Sequence, residues 1–142
     1  MPDKIKSADD MQDFFDRSQF NQWTGLTVES VDSGRAILKI IDEEKLHNPG
    51  GNLHGGILAA LVDLAAGAAL MCAHVDTDEC TLVTTDMNVR YLRPGTGTVY
   101  AIGEVERVGS SLGITSVDIE SVAPDGERKK VAMGSVSYRL IQ

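Results

Sequence analysis

The sequence predicts a single α+β domain in which an antiparallel β-sheet wraps around one long central α-helix. The stretch 57–75 is apolar almost throughout and is long enough to form a helix that is buried on all sides. Six further stretches have the alternation and the flanking turn residues that are typical of β-strands. A helix without a polar face needs a sheet to cover it, and 142 residues suffice for one core of this kind.

The predicted elements follow one another as a short helix, two strands, the long helix and four strands. The first helix is expected to begin at Ser7 and to run through Phe15 up to Phe20. We interpret residues 1–24 as a helical segment that packs on a domain formed by residues 25–142. The six strands are predicted at 25–31, 35–41, 82–93, 98–108, 114–122 and 131–140.

The composition excludes several classes of function. A net charge of -8 argues against non-specific nucleic-acid binding, which needs a basic surface. The N-terminal residues include acids where a secretory signal needs an apolar stretch, so we expect a cytoplasmic protein. Asp63 and His74 interrupt the stretch 57–75, which is therefore expected to be a core helix and not a membrane span. Cys72 and Cys80 have neither metal-binding nor disulfide spacing and are expected to be buried free thiols.

The third predicted strand has one apolar and one polar face. Val83, Thr85, Met87, Val89 and Tyr91 are expected to face the long helix, because they alternate with polar residues along the strand. The strand is expected to be central in the sheet. Its polar face has two interpretations, either a surface open to solvent or the lining of a cleft or subunit interface.

An acidic residue, Asp63, lies two turns into the predicted long helix. Its neighbours at three and four residues' distance are all small: Ala59, Ala60, Ala66 and Gly67. This strip of small side chains lets another group approach the carboxylate closely, either a second helix or a substrate. A structural aspartate would need a buried partner, and the helix offers no nearby Lys or Arg, so a catalytic role is preferred.

The start of the long helix carries the tripeptide His54-Gly55-Gly56. The first amides of a helix lack intrahelical acceptors, and glycines let a ligand reach them, so they could bind a carbonyl oxygen that becomes negative. A plain glycine-rich turn is the alternative. Gly55 and Asp63 are about 12 Å apart along one helix, so the two residues can act on one atom only if they come from two subunits.

The pattern Asn48-x5-His54-Gly-Gly-x6-Asp63, followed by Thr84-Thr-Asp-Met-Asn-Val-Arg-Tyr-Leu-Arg-Pro94, resembles the phenylacetic-acid-degradation (PaaI-like) family of hotdog-fold thioesterases. The resemblance extends from about Gly25 to the C-terminus. It implies a hotdog fold and hydrolysis of acyl-CoA thioesters at a dimer interface, often within a tetramer that is a dimer of dimers.

The resemblance also implies a role for each matching residue. Asp63 matches the nucleophile or general base, and Gly55 matches the amide that stabilises the oxyanion. Asn48 matches an amide side chain that orients the thioester or the water from the other subunit. Thr84 matches a strand hydroxyl that helps hold the attacking water. His54, together with Gly56, would bind the substrate at the helix start, although a His54 bonded to the backbone is an equal alternative.

One position departs from the family pattern. Gly109-Ser110 stands where the family often has Gly followed by Lys or Arg, which weakens the expectation of a contact to the CoA phosphates there. With an acidic chain, those phosphates need local cations, and Arg90, Arg93 and Arg107 are candidates. Each of the three could instead be a solvated surface arginine.

The resulting prediction is an acyl-CoA thioesterase that acts on an acyl- or aroyl-CoA ester without a cofactor or metal. His47, His54 and Asp63 do not have the spacing of a familiar metal site. The expected partners are the substrate and further copies of the chain, and neither nucleic acid nor a membrane. Two alternatives remain, a non-catalytic acyl-CoA-binding protein and a hotdog dehydratase or hydratase.

Overall fold

The computed structural model of the protein describes residues 5–73 and 81–141 and confirms a single-domain α+β fold. Besides a 3-10 turn at Glu44–Leu46, its three helices are α1 (Ala8–Phe15), α2 (Gln19–Thr24) and α3 (Gly55–Met71). Its six strands are β1 (Thr27–Asp32), β2 (Arg35–Ile40), β3 (Thr81–Tyr91), β4 (Thr98–Val108), β5 (Leu112–Val122) and β6 (Arg128–Ile141). The predicted order of the long helix and the six strands is confirmed for these residues, whereas the N-terminal segment differs from the prediction.

The six strands form one antiparallel sheet in the order β1-β2-β4-β5-β6-β3. Helix α3 contacts all six strands and is buried along most of its length. Its large apolar residues Leu61, Val62 and Leu70 are fully buried against the sheet. The expectation of a sheet around one central helix is therefore confirmed.

Close contact between α3 and the sheet depends on a glycine in β4. A Cβ atom on Gly103 would lie 2.6 Å from the backbone oxygen of Ala65. No other residue type fits at this distance without moving the helix away from the strand. Gly103 thus fixes how deeply the middle of α3 sits in the sheet.

The N-terminal segment forms two helices, whereas the sequence predicted one. The Ser7 hydroxyl accepts a hydrogen bond from the amide of Asp10, as the predicted helix start requires. The chain then leaves the helix after Phe15, and Ser18 caps α2 by accepting from the amide of Asn21. Ser18 is a second start signal that the sequence analysis overlooked.

Strand β3 differs from the prediction in two ways. It is an edge strand of the sheet and not a central one. A β-bulge between Thr84 and Asp86 also shifts its register with β6, so that Leu82 and Thr84 pair with the inward residues Leu140 and Tyr138. Val83 and Thr85 therefore do not face the helix, because one extra residue reverses the alternation at this point.

Cys72 lies just after α3 and is a half-buried free thiol. Burial raises the pKa of this thiol to about 11, and the negative charge of Asp32 adds to the shift. Cys80 and His74 lie outside the described residues. Within the described chain, no helix has the length and apolar character needed to span a membrane.

Candidate active site

Asp63 lies at the midpoint of α3, opposite the edge of the sheet formed by β6 and β3. Its Oδ1 accepts a hydrogen bond of 2.8 Å from the Thr84 hydroxyl and one of 2.7 Å from the Tyr138 hydroxyl. Its Oδ2 has no partner among the described residues. The carboxylate is therefore held by one oxygen, and the other oxygen remains free to react.

Tyr138 fills the space beside the small residue Gly67 of α3. The sequence did not predict this contact. A Cβ atom on Gly67 would lie 3.2 Å from its hydroxyl oxygen, so the glycine leaves room for the phenol. Burial, and then the hydrogen bond to Asp63, raise the pKa of Tyr138 far above its usual value. The phenol therefore stays protonated and remains a hydrogen-bond donor to Asp63.

A cavity of about 270 Å³ opens beside Asp63, and we call it the Asp63 cavity. Its polar lining includes Thr84 and Tyr138, which are hydrogen-bonded to Asp63 and so lie together on one side. Most of the remaining wall is apolar and consists of Phe14, Phe15, Leu64, Met71 and Leu82. Of the N-terminal aromatic residues, Phe14 and Phe15 line this cavity and Trp23 does not.

The start of α3 presents one free amide. The amide of His54 donates to the carbonyl of Leu46, and that of Gly56 donates to Nδ1 of His54, over 2.8 and 2.9 Å. The amide of Gly55 has no acceptor among the described residues, as expected at the first helical position. Because Nδ1 of His54 accepts, the neutral ring carries its proton on Nε2.

A second cavity, of about 300 Å³, lies at the start of α3, and we call it the Gly55 cavity. Gly55 and Asn48 line it, together with Tyr91, whose hydroxyl donates to the Gly55 carbonyl over 2.7 Å. Oδ1 of Asn48 accepts from the amides of Gly50 and Asn52. The amide nitrogen of Asn48 has no acceptor in the described chain and can donate to a ligand.

The remaining predicted site residues lie elsewhere. Arg90, Arg107, Gly109 and Ser110 are exposed, and none of them lines either cavity. Arg93 does line the Gly55 cavity. No ion pair involves Arg90, Arg93 or Arg107 among the described residues.

Residues 5–73 and 81–141 contain no group of three His, Cys, Asp or Glu side chains arranged to hold a metal ion. His47 contacts Asp42 through Nε2 over 2.5 Å, and among the described residues it forms no hydrogen bond or ion pair with Asp63. The described residues that line the two cavities provide a carboxylate, hydroxyls, amides and the guanidinium of Arg93.

The two cavities present different reactive groups at two places on one helix. One place has a carboxylate with a free oxygen, and the other has a free helix-start amide beside a side-chain amide. Such groups are those that attack a carbonyl carbon and stabilise the resulting oxyanion. The fold, a sheet wrapped around one central helix, is the hotdog fold.

Comparison with known proteins assigns the family. Residues 50–125 match the model of the thioesterase superfamily. The chain is 33% identical over 117 residues to human acyl-coenzyme A thioesterase 13. The aligned region covers 81% of this chain and 79% of that protein. The chain therefore belongs to the thioesterase superfamily, and it is a thioester hydrolase.

Solved structures agree with this assignment. A zebrafish thioesterase superfamily member 2 has a TM-score of 0.83 and 26% identity, over 96% of this chain and 100% of that one. The PaaI protein of E. coli has a TM-score of 0.76 and 23% identity, over 92% of this chain and 89% of that one. At this identity PaaI shows a shared fold, and the expected relationship to hotdog thioesterases is confirmed.

Proposed function

We propose that the protein is an acyl-CoA thioesterase whose active site forms where Asp63 of one subunit faces Gly55 of a second subunit. The observation that carries the proposal is the free oxygen of Asp63, which borders a cavity while hydroxyls fix the other oxygen. Its similarity to the human acyl-coenzyme A thioesterase 13 supports an acyl-CoA as the substrate.

The proposed reaction adds water across the thioester bond. Asp63 Oδ2 either takes a proton from a water molecule that attacks the carbonyl carbon or attacks that carbon itself to form an anhydride, which water then cleaves. In both routes the carbonyl oxygen becomes negative, the C–S bond breaks, and the products are the free acid and CoA. Thr84 donates to Asp63 and keeps lone pairs that can accept a hydrogen bond from the water.

The oxyanion would be stabilised by the amide of Gly55. We assign this role to Gly55 alone, because the amides of His54 and Gly56 already have acceptors. The free amide group of Asn48 lies on the same cavity and would orient the thioester or the water. Arg93, on the wall of that cavity, is the arginine best placed to contact a CoA phosphate.

The proposal requires a dimer, because Gly55 and Asp63 are about 12 Å apart on α3. Strand β3 supports such an assembly. It is an 11-residue edge strand on which Val83, Met87 and Tyr91 are 42%, 38% and 52% exposed. Long apolar edges of this kind are usually covered in native proteins. A cytoplasmic location and assembly of two dimers into a tetramer remain further expectations.

The test is release of free thiol from a panel of acetyl-, medium-chain, long-chain and aromatic CoA esters, with wild type beside Asp63→Asn. We expect turnover of at least one ester by wild type and a loss of kcat of at least a thousandfold in the variant. Asn keeps the shape of Asp but cannot act as a base or nucleophile.

The possible outcomes separate the proposal from its alternatives. Binding of the esters by folded wild type without any turnover would indicate a non-catalytic acyl-CoA-binding protein. Turnover that persists in Asp63→Asn would remove Asp63 from the chemistry. Single-turnover hydrolysis in labelled water detects the anhydride route when water attacks the anhydride at the carbonyl carbon of Asp63, because an oxygen of Asp63 then leaves with the product and the label enters Asp63.

A further inference from the structure

We propose that the Asp63 cavity receives the acyl part of the substrate and restricts the enzyme to compact, uncharged acyl or aroyl groups. This inference rests on the proposed function and adds the class of acyl group. The cavity has a reactive side, formed by Asp63 and the two hydroxyls bonded to it, and an apolar wall. A thioester carbonyl placed at Asp63 would direct its attached acyl group toward that wall.

On the side that this subunit provides, the size of the cavity limits the acyl group. Its volume of about 270 Å³ lies just below the range of roughly 300–1,000 Å³ that is typical of sites for drug-sized ligands. A benzoyl or medium-length acyl group is compact enough to enter, whereas a long-chain group would have to leave the cavity again. Chain length should therefore have an optimum.

The apolar wall determines the chemical character of the acyl group that the cavity accepts. Phe14, Leu64 and Met71 offer no hydrogen-bond partner, and the hydroxyl of Thr81, which also lines the cavity, carries no charge. A charged group at the far end of the acyl chain would therefore be buried without a counter-charge. Asp63, the one charged side chain among the described residues that line the cavity, would repel a carboxylate on the acyl group. Esters of dicarboxylic acids should therefore be poor substrates.

Helix α1 forms part of this wall and is fixed to the sheet. The side chain of Gln12 donates to the carbonyl of Leu26 over 3.2 Å and accepts from the amide of Val28 over 2.7 Å. These two bonds hold α1 beside β1, and Phe14 and Phe15 of the same helix line the cavity. The N-terminal segment is thus a determinant of specificity and not only a cover for the core.

The experiment compares kcat/KM across straight-chain CoA esters from acetyl to palmitoyl, with benzoyl-CoA and glutaryl-CoA added. For wild type we expect kcat/KM to rise about fourfold with each methylene until the cavity is full and then to fall. Benzoyl-CoA should be a good substrate. Glutaryl-CoA should be at least tenfold worse than the uncharged ester of the same length.

Two variants with opposite effects test the assignment of the wall. Phe14→Ala enlarges the cavity and should move the optimum to longer chains, whereas Leu64→Phe reduces it and should move the optimum to shorter chains. The control is Phe20→Ala, because Phe20 is 49% exposed and lines neither cavity. Should Phe14→Ala fail to fold, the shift of the optimum in Leu64→Phe alone tests the proposal.

The results also distinguish the two proposals. Opposite shifts of the optimum by the two variants would support the acyl site. An active wild type whose chain-length profile is unchanged in both folded variants would overturn the acyl site and leave the thioesterase assignment intact. Folded wild type that cleaves none of the esters would overturn the thioesterase assignment itself.

Discussion

At the scale of single residues, Gly55 permits an unusually direct test of the oxyanion role. Its amide is free, it occupies the first position of α3, and a Cβ atom there would make only an ordinary 3.6 Å contact with Tyr91. Proline is favoured at the first position of a helix and has no N–H. His54 has φ -60° and ψ 136°, a conformation that suits a residue before proline.

We therefore predict that Gly55→Pro folds with nearly wild-type stability but loses kcat by roughly 100- to 1,000-fold, the usual effect of removing one oxyanion donor. Gly55→Ala is the matched control, because it adds the same Cβ and keeps the N–H, and it should retain most of the activity. Steady-state kinetics and thermal unfolding of both variants provide the measurement. Equal loss of activity in the two variants would indicate a steric effect and not a lost donor.

Tyr138 is a positioning residue for Asp63, because its hydroxyl donates to the carboxylate. Tyr138→Phe removes a hydrogen bond to a charged group, which is typically worth about 1.5–3 kcal/mol, and leaves the ring in place. We predict that kcat falls by roughly tenfold to a hundredfold while KM changes less than twofold. Tyr100→Phe is the control, because Tyr100 contacts Lys39 and Arg128 and lines neither cavity.

The same substitution has a stability effect whose sign follows from the raised pKa of Tyr138. The unfolded chain releases the phenol proton near its ordinary pKa of 10.0, and the folded protein retains it. The free energy of unfolding should therefore fall as pH rises above 10, and the decline should be smaller in Tyr138→Phe. Urea unfolding at pH 8 and pH 11 measures this difference, and identical declines in the two proteins would contradict it.

At the scale of secondary-structure elements, the sequence predicted what depends on local patterns. The turn residues, the cap at Ser7 and the helix-period run of α3 are local signals, and so is the motif that links Asn48, Gly55 and Asp63. Tyr138 is different, because it lies 75 residues from Asp63 and meets it only through the packing of β6 on α3. Strict alternation along β3 likewise could not reveal the bulge at Thr84, since a bulge depends on pairing with β6.

The contact between α3 and β4 yields a prediction about stability. In Gly103→Ala the new Cβ meets the Ala65 carbonyl at 2.6 Å, so helix or strand must move. We expect a loss of roughly 1–3 kcal/mol in the free energy of unfolding, measured by urea denaturation. Gly109→Ala is the control, because its Cβ would come no closer than 3.7 Å to another atom, and its stability should be unchanged.

At the scale of the whole molecule, each chain contains both halves of the proposed site but cannot use them together. Asp63 and Gly55 belong to one rigid helix and border different cavities. In a symmetric dimer, the same contact occurs twice, so each of the two sites would combine Asp63 of one subunit with Gly55 of the other.

This arrangement predicts that two inactive variants restore activity when they form mixed dimers. A subunit with Asp63→Asn still provides an intact Gly55, and a subunit with Gly55→Pro still provides an intact Asp63, so their heterodimer contains one complete site. If the subunits associate at random, half of the dimers are heterodimers. Each heterodimer has two sites, and one of them is complete. Refolding an equal mixture should therefore recover about a quarter of wild-type activity. If both groups of a site came from one chain, or if the protein acted as a monomer, the mixture would be no more active than the separate variants.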